Sequence, residues 1–175
     1  MIILLLLTGI PALCQQKWII YDTTNSPLPD NQVQAIAIDQ QNVKWIGTSK
    51  GLARFNDNQW TIYNTTNAPL PSNEIYSLAI DGKAVLWIGT NNGLSSFDGQ
   101  HWNNYLPGKM VNKLFYDEKR HTLWISTEKA LLKYDGAHFT QYDGNNSTLF
   151  DTYIINSMTV DQNGIVYVGA FDTFQ

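Results

Sequence analysis

An all-β fold, built from one four-stranded unit used several times over, is what this sequence predicts, and three observations predict it. A block of sequence returns at a constant step of 42 residues, as the tryptophans Trp18, Trp60 and Trp102 mark. Each copy breaks into short apolar or alternating runs separated by Gly, Pro, Asn and Asp, the punctuation of strands and turns. No stretch keeps the three- and four-residue apolar spacing of a helix, and Pro27, Pro29, Pro69 and Pro71 interrupt the connections. Composition agrees: six Trp and nine Tyr favour strands, and 43% apolar residues against 15% charged ones are ample for a packed core.

The repeat is legible residue by residue. Trp18 to Tyr21, followed by a Leu28-Pro29 pair and Asn31, returns as Trp60 to Tyr63, Leu70-Pro71 and Asn73. Between these marks lie Ala35 to Asp39 and Leu78 to Asp81, then Trp45 to Thr48 and Trp87 to Thr90, then Gly51-Leu52 to Phe55 and Gly93-Leu94 to Phe97. A third copy keeps the order in Lys113 to Asp117, Trp124 to Thr127, Leu131 to Tyr134 and Phe139, and a fourth starts with Ile155 to Asp161 and Tyr167 to Gly169. Each unit reads as strands A to D, represented in the first by Val33 to Ile38, Val43 to Gly47, Leu52 to Phe55 and Trp60 to Tyr63. A and B are apolar on both faces and read as buried between neighbours, whereas C and D alternate and read as lying further out. Asp81-Gly82 between A and B, and Asp98-Gly99 and Asp135-Gly136 between C and D, are compatible with tight hairpins. Four strands in about 42 residues is the period of a β-propeller blade.

The pattern Trp-x-x-Tyr, Leu-Pro-x-Asn, Ala-Ile-x-Asp, Trp-Ile-Gly-Thr, Gly-Leu and Phe-Asp-Gly resembles the two-component regulator propeller repeat, over about residues 17–170. The resemblance implies an exported sensor propeller of the kind found in the periplasmic regions of hybrid histidine kinases. Unit three departs from it, with Leu106-Pro107-Gly108 for the Leu-Pro-x-Asn element, Ser126 for the first glycine and Ala130 for the turn glycine. Residues after Gly169 do not continue it.

Strand counting gives blades at about 32–63, 74–105, 111–142 and 154–170, preceded by a lone outer strand at 18–21. The sum is three complete blades with partial ones at both ends, an incomplete ring. Members of the resembled family commonly close rings of seven blades, roughly 300 residues at one blade per repeat. A fragment lacking its remaining blades is the leading expectation, ahead of a second copy completing the ring or a small four-bladed ring. Residues 1–14 read as a signal peptide: an apolar run from Ile2 to Ile10, too short for the roughly 20 residues of a membrane span, then Ala12 and Cys14 placed for cleavage before Gln15. The expected location is periplasmic or secreted. Leu13 directly before Cys14 disfavours a lipoprotein, and a single cysteine forbids an internal disulfide.

Antiparallel order puts the B-to-C turns and the D-to-A connections on one face. There the scaffold repeats while Lys50, Asn92 and Lys129 differ among copies, so these, with Asn91, Asn31 and Asn73, are the candidate ligand-binding residues. For Asn31 and Asn73 a turn-bracing role is the stronger reading. The ligand implied is an oligosaccharide or another small extracellular molecule. A net charge of −4 and a pI near 5.2 supply no footprint for nucleic acid. No metal or cofactor is expected: the recurring Asp39, Asp81, Asp117 and Asp161 stand singly, unlike a calcium loop, and His101, His121 and His138 are scattered turn residues. Nor is an enzyme, although propeller lyases acting on cyclic antibiotics carry somewhat similar repeats; a cell-surface interaction module is the other alternative.

Overall fold

The computed structural model describes residues 2–5, 18–147 and 153–172, and every regular element among them is a strand. No helix among the described residues is long and apolar enough to cross a membrane. Strands β3 (Val33–Ile38), β4 (Lys44–Thr48), β5 (Gly51–Asn56) and β6 (Gln59–Tyr63) form one antiparallel sheet in chain order. A second sheet repeats it with β7 (Ile75–Ile80), β8 (Leu86–Thr90), β9 (Gly93–Phe97) and β10 (Trp102–Tyr105). The third holds β11 (Val111–Asp117), β12 (Thr122–Thr127), β13 (Leu131–Tyr134) and β14 (Phe139–Tyr142). Strands β15 (Tyr153–Val160) and β16 (Val166–Asp172) pair by themselves. The fold is all-β, and its four-stranded blades are not closed into a ring.

The strand at 18–21 is not alone. Strand β1 (Ile2–Leu5), inside the expected leader, runs antiparallel to β2 (Trp18–Tyr21) with Ile2 opposite Tyr21 and Leu5 opposite Trp18. The register matches the C–D pair of blade one, where Leu52 faces Tyr63 and Phe55 faces Trp60. The outer strand's backbone edge is thus met by residues of the expected leader, which cleavage before Gln15 would remove. Residues 6–17, which contain the expected cleavage point at Cys14 and Gln15, lie outside the described residues.

Blades meet where strand A of one crosses strand B of the preceding blade. A Cβ added at Gly47 would lie 2.6 Å from Ile75 Cγ2, and one at Gly89 would lie 2.9 Å from the Val111 carbonyl oxygen. Each inner strand carries an irregularity at this crossing, between Val33 and Ala35, Ile75 and Ser77, Val111 and Lys113, and Ile155 and Ser157. Ser126 takes the glycine's place in blade three because its hydroxyl donates to the Ile155 carbonyl at 3.3 Å. Polar stitches also cross between blades, as where the Leu114 amide donates to Ser77 Oγ at 2.9 Å.

Around these crossings the core is shared by neighbouring blades. Val43, Trp45 and Leu52 of blade one pack with Ile75, Ile88 and Phe97 of blade two, and Trp87 and Leu94 of blade two with Val111, Leu114 and Ile125 of blade three. Trp45, Trp87 and Trp124 are buried, as their strand-B positions predict. On the outer strand, Trp60 stacks on Phe55 with centroids 4.5 Å apart and Trp102 on Phe97 at 4.4 Å, with Phe139 on Tyr134 at 4.6 Å. Strand C lies deeper than its alternation predicts: all of β9 is buried, because both faces of the sheet are covered and C sits between two paired strands. Strand A is the more open one, with Ile36 and Ile38 half exposed in blade one.

Two A-to-B turns share one lock. Asp81 Oδ1 accepts the amides of Lys83 and Val85, and its Oδ2 accepts the Trp87 indole N–H at 3.0 Å; Asp39 does the same for Trp45 at 3.1 Å. The positive φ in these turns falls on Asn42 and Ala84, not on Gly82, so Asp81-Gly82 is not a two-residue hairpin; the aspartate's local bonds define a longer turn instead. Gly99 and Gly136, both at φ 98°, do occupy left-handed positions in the C-to-D turns. In blade three the connection is one residue longer. Arg120 takes the Asp117 carboxylate at 2.9 Å, and the buried Trp124 indole N–H has no partner. Arg120 also donates to the carbonyls of Asp161 and Gln162, joining blade three to the β15–β16 turn.

At the two ends the interface residues are bare. Ile36 and Ile38 occupy in blade one the places that Leu78 and Ile80 fill against blade one's core, while Ile165 and Tyr167 occupy those of Val43 and Trp45. This incomplete propeller fits a need for further blades or domains. The lock predicts unequal costs. Asp81→Ala leaves the Trp87 N–H buried and unpaired and lowers stability by about 1–3 kcal/mol, whereas Trp124→Phe, which removes an N–H already without a partner, costs less than Trp87→Phe. Chemical denaturation of the variants measures the difference.

Candidate functional site

The B-to-C turns and the D-to-A connections lie together on one face, joined by backbone bonds from Ser49 N to Gln32 O and from Asn91 N to Glu74 O. Each long connection is wound on itself. In the first, Asn25 Oδ1 accepts the Asp22 amide and its Nδ2 donates to Ile20 O, while Asn31 Oδ1 accepts the Thr23 amide at 2.9 Å. The second repeats this with Asn67 on Asn64 and Ile62, and with Asn73 Oδ1 accepting the Thr65 amide at 2.8 Å. Asn31 and Asn73 thus brace their loops. The same winding follows blade three, where Asn146 Oδ1 accepts the Asp143 amide and Nδ2 donates to Gln141 O. A sequence signal for it existed: Asn25, Asn67 and Asn146 each stand four residues after the tyrosine that closes a D strand.

The variable positions hold these loops in different ways. Lys50 Nζ lies 2.7 Å from Asp30 Oδ2, and this contact with Lys50 holds the Asp30 carboxyl below its ordinary range. Asn92 Nδ2 donates to the Pro71 carbonyl at 3.3 Å, and from strand D Asn104 Nδ2 donates to the Pro69 carbonyl at 2.8 Å. Pro71 also lies close over its turn glycine, where a Cβ on Gly93 would stand 3.2 Å from Pro71 Cβ, and Pro29 sits over Gly51 at an ordinary 3.7 Å. The Leu-Pro loops therefore cover the turns of blades one and two. Asn91 is exposed beside them, its amide bonded to Glu74 O.

Blade three is different. Its preceding connection, residues 106–110, is six residues shorter than residues 64–74, and no Leu-Pro-x-Asn segment lies over the Thr127–Ala130 turn. A cleft of about 800 Å³ opens there, between Lys109 and Met110 on one side, Glu128 and Lys129 on the turn, and Gln141 of strand D with Asp143 just after it. Lys129 is the equivalent of Lys50 and Asn92, and Gln141 that of Asn104. Of the sequence-predicted residues, the structure brings only Lys129 into this cleft. Lys109, Gln141 and Asp143 escaped sequence reasoning because their place follows from a deletion in a neighbouring loop. Hydrogen bonds from the Asn145 amide and the Gln141 side chain, with Lys109 nearby, hold the Asp143 carboxyl below its ordinary value. Among the described residues, the lysines Lys109 and Lys129 balance Glu128 and Asp143.

On the opposite face, amides of His101 and Gln100 hold Asp98 down to about 2. His101 Nδ1 lies 3.2 Å from Asp98 Oδ2, and His121 lies 3.2 Å from the Tyr116 hydroxyl. Among the described residues no three His, Cys, Asp or Glu side chains are grouped to hold a metal ion.

Residues 69–92 match the family model described as a two component regulator propeller, so the chain carries that repeat. Among solved structures it is similar to the extracellular domain of a hybrid two component system from B. thetaiotaomicron, at 28% identity and a TM-score of 0.76 over 93% of this chain and 24% of that one. A second such domain from the same organism gives 24% identity and a TM-score of 0.74, over 88% of this chain and 21% of that one, a likeness of fold. Virginiamycin B lyase from Staphylococcus aureus shares the fold at 13% identity and a TM-score of 0.58, covering 82% of this chain and 57% of the enzyme. No curated protein sequence matches the chain significantly. The chain spans about a quarter of the length of the two extracellular domains.

The depressed Asp143 pKa makes a pH prediction. Its contribution to stability is present above about pH 4, where the unfolded carboxylate is ionised, and is lost as pH falls through the lower folded value. Thermal melts from pH 6 to pH 2.5 are expected to show a smaller acid loss for Asp143→Ala than for the parent chain, and an NMR titration places the Asp143 carboxyl below 3.8.

Proposed function

We propose that this chain is part of the ligand-recognising propeller of an exported sensor, acting by binding rather than by catalysis. The observation that carries the reading is a repeated scaffold on whose loop face the groups over each B-to-C turn differ, from Lys50 with Asp30, to Asn92, to the uncovered Lys129. Its similarity to the extracellular domain of a hybrid two component system supports the same reading. The ligand is an extracellular molecule such as an oligosaccharide, and binding biases the packing or association of domains beyond the described residues. Missing blades of a longer chain, or a second copy, complete the bare faces at Ile36 and Tyr167. A cell-surface interaction module would use the same loop face. The lyase reading lacks support, because catalysis needs a general base converging with acidic partners, and His101, His121 and His138 lie with the turns of the other face.

Calorimetric titration of the purified chain against oligosaccharides and short peptides tests the proposal. Saturable binding to one class, weakened by Lys129→Ala, is expected; silence across the panel from a well-folded protein rejects it. Export carries its own test. The mature chain is expected to begin at Gln15, as intact-mass measurement of protein from the periplasm or medium would reveal, and recovery of the uncleaved chain from the cytoplasm alone would reject an exported sensor.

A further inference from the structure

We infer that the blade-three cleft is a receptor for an extended peptide containing Pro-Leu-Pro, which blades one and two carry within their own loops, followed by an acidic residue as Asp30 follows it in blade one. This deepens the reading of the loop face as a recognition surface and rests on it.

The first observation is equivalence. In blade two the groups at these positions hold a loop segment by its main chain, Asn92 Nδ2 on the Pro71 carbonyl and Asn104 Nδ2 on the Pro69 carbonyl. In blade one the group over the turn is Lys50, which pairs with Asp30, the residue after the second proline of Pro27-Leu28-Pro29. Blade three keeps a long donor at both places, Gln141 for Asn104 and Lys129 for Lys50, but lacks the segment they would hold. The six absent residues leave a cleft of about 800 Å³.

Ala130 is a second observation. It stands where Gly51 and Gly93 lie at φ 144° and 147°, with the Tyr63 or Tyr105 carbonyl oxygen 2.8 or 3.1 Å from an added Cβ; Ala130 does not share this positive φ, so the uncovered turn of blade three follows a different backbone path.

Chemistry selects the class. A proline-rich strand brings carbonyl acceptors and few amide donors, which suits a wall whose side-chain donors include Gln141, Lys129, Lys109 and Asn145. Met110 supplies an adaptable apolar surface for the leucine. A balanced charge of two lysines against Glu128 and Asp143 gives no preference for a polyanion. Among the described residues the lining contains no Trp, Tyr or Phe on which the apolar face of a sugar ring would stack, so the cleft favours a peptide over a glycan.

The test uses the purified chain and a synthetic peptide of residues 25–32, Asn-Ser-Pro-Leu-Pro-Asp-Asn-Gln, titrated by calorimetry. One peptide per chain is expected. Gln141→Ala is expected to weaken binding about 2- to 10-fold, the range for one lost hydrogen bond. Replacing the peptide's aspartate by asparagine weakens binding to the parent chain and not to Lys129→Ala, a double-mutant cycle that isolates the pair. Grafting residues 64–74 in place of 106–110 refills the cleft and abolishes binding, with thermal melts confirming that each variant is folded. Undiminished peptide binding by the grafted chain overturns the site. Oligosaccharide binding that depends on Lys129, without peptide binding, overturns the peptide class while the recognition surface stands; silence from both classes overturns both.

Discussion

Close approach of backbones at the crossing of strand B with the next blade's strand A is the constraint on which the rest of this structure depends. At Gly47 and Gly89 even a methyl group would meet Ile75 or Val111 at less than van der Waals distance. That contact sets the spacing between sheets, and the spacing in turn lets one blade's Trp45 or Trp87 pack with the following blade's apolar residues. Interiors packed at this density respond to a single added atom. Ser126 shows the permitted exception: a polar side chain fits where it finds a carbonyl of the next blade to receive its proton.

Because each blade is tied chiefly to its neighbours, differences between copies stay local and need not disturb the scaffold. Blade three illustrates this. It has an extra residue between Asp117 and Trp124, a shortened preceding loop, Ser126 and Ala130, yet its sheet keeps the same order as the other two. Arg120 replaces the lost indole contact to aspartate and extends into the following turn. The variation that remains is concentrated on the loop face. There, length rather than side-chain chemistry decides which turn is covered and which is open.

Much of this was readable from pattern alone. The four strands per unit and the buried strand-B tryptophans follow from a 42-residue step and from a strand B that is apolar on both faces. Less readable were features that depend on what lies beside a residue in space. Strand C alternates in type in blade one, but its burial is decided by blades on both sides of the sheet. Gly82 looks like a hairpin glycine, but Asp81 bonds to two downstream amides and moves the left-handed residue to Ala84. Strand β1 falls within the expected leader, and its register is illegible because an apolar run gives no signal of which residue faces Tyr21 or Trp18. Asn25, Asn67 and Asn146 share one spacing from the strand-D tyrosine, but their bracing role depends on how each loop closes in space.

By itself the sequence determined the class of fold, the number of whole blades, the face that carries the loops and Lys129 as a point of difference on it. Those depend on periodicity and on turn chemistry, which are local and survive in a one-dimensional string. Only the tertiary structure decided that Lys50 is engaged by Asp30 and that a six-residue shortening opens a cleft beside Lys129. A deletion has no residue to read. Its effect is felt across space, by Gln141 and Lys129, whose counterparts in the neighbouring blades hold the loop that blade three lacks.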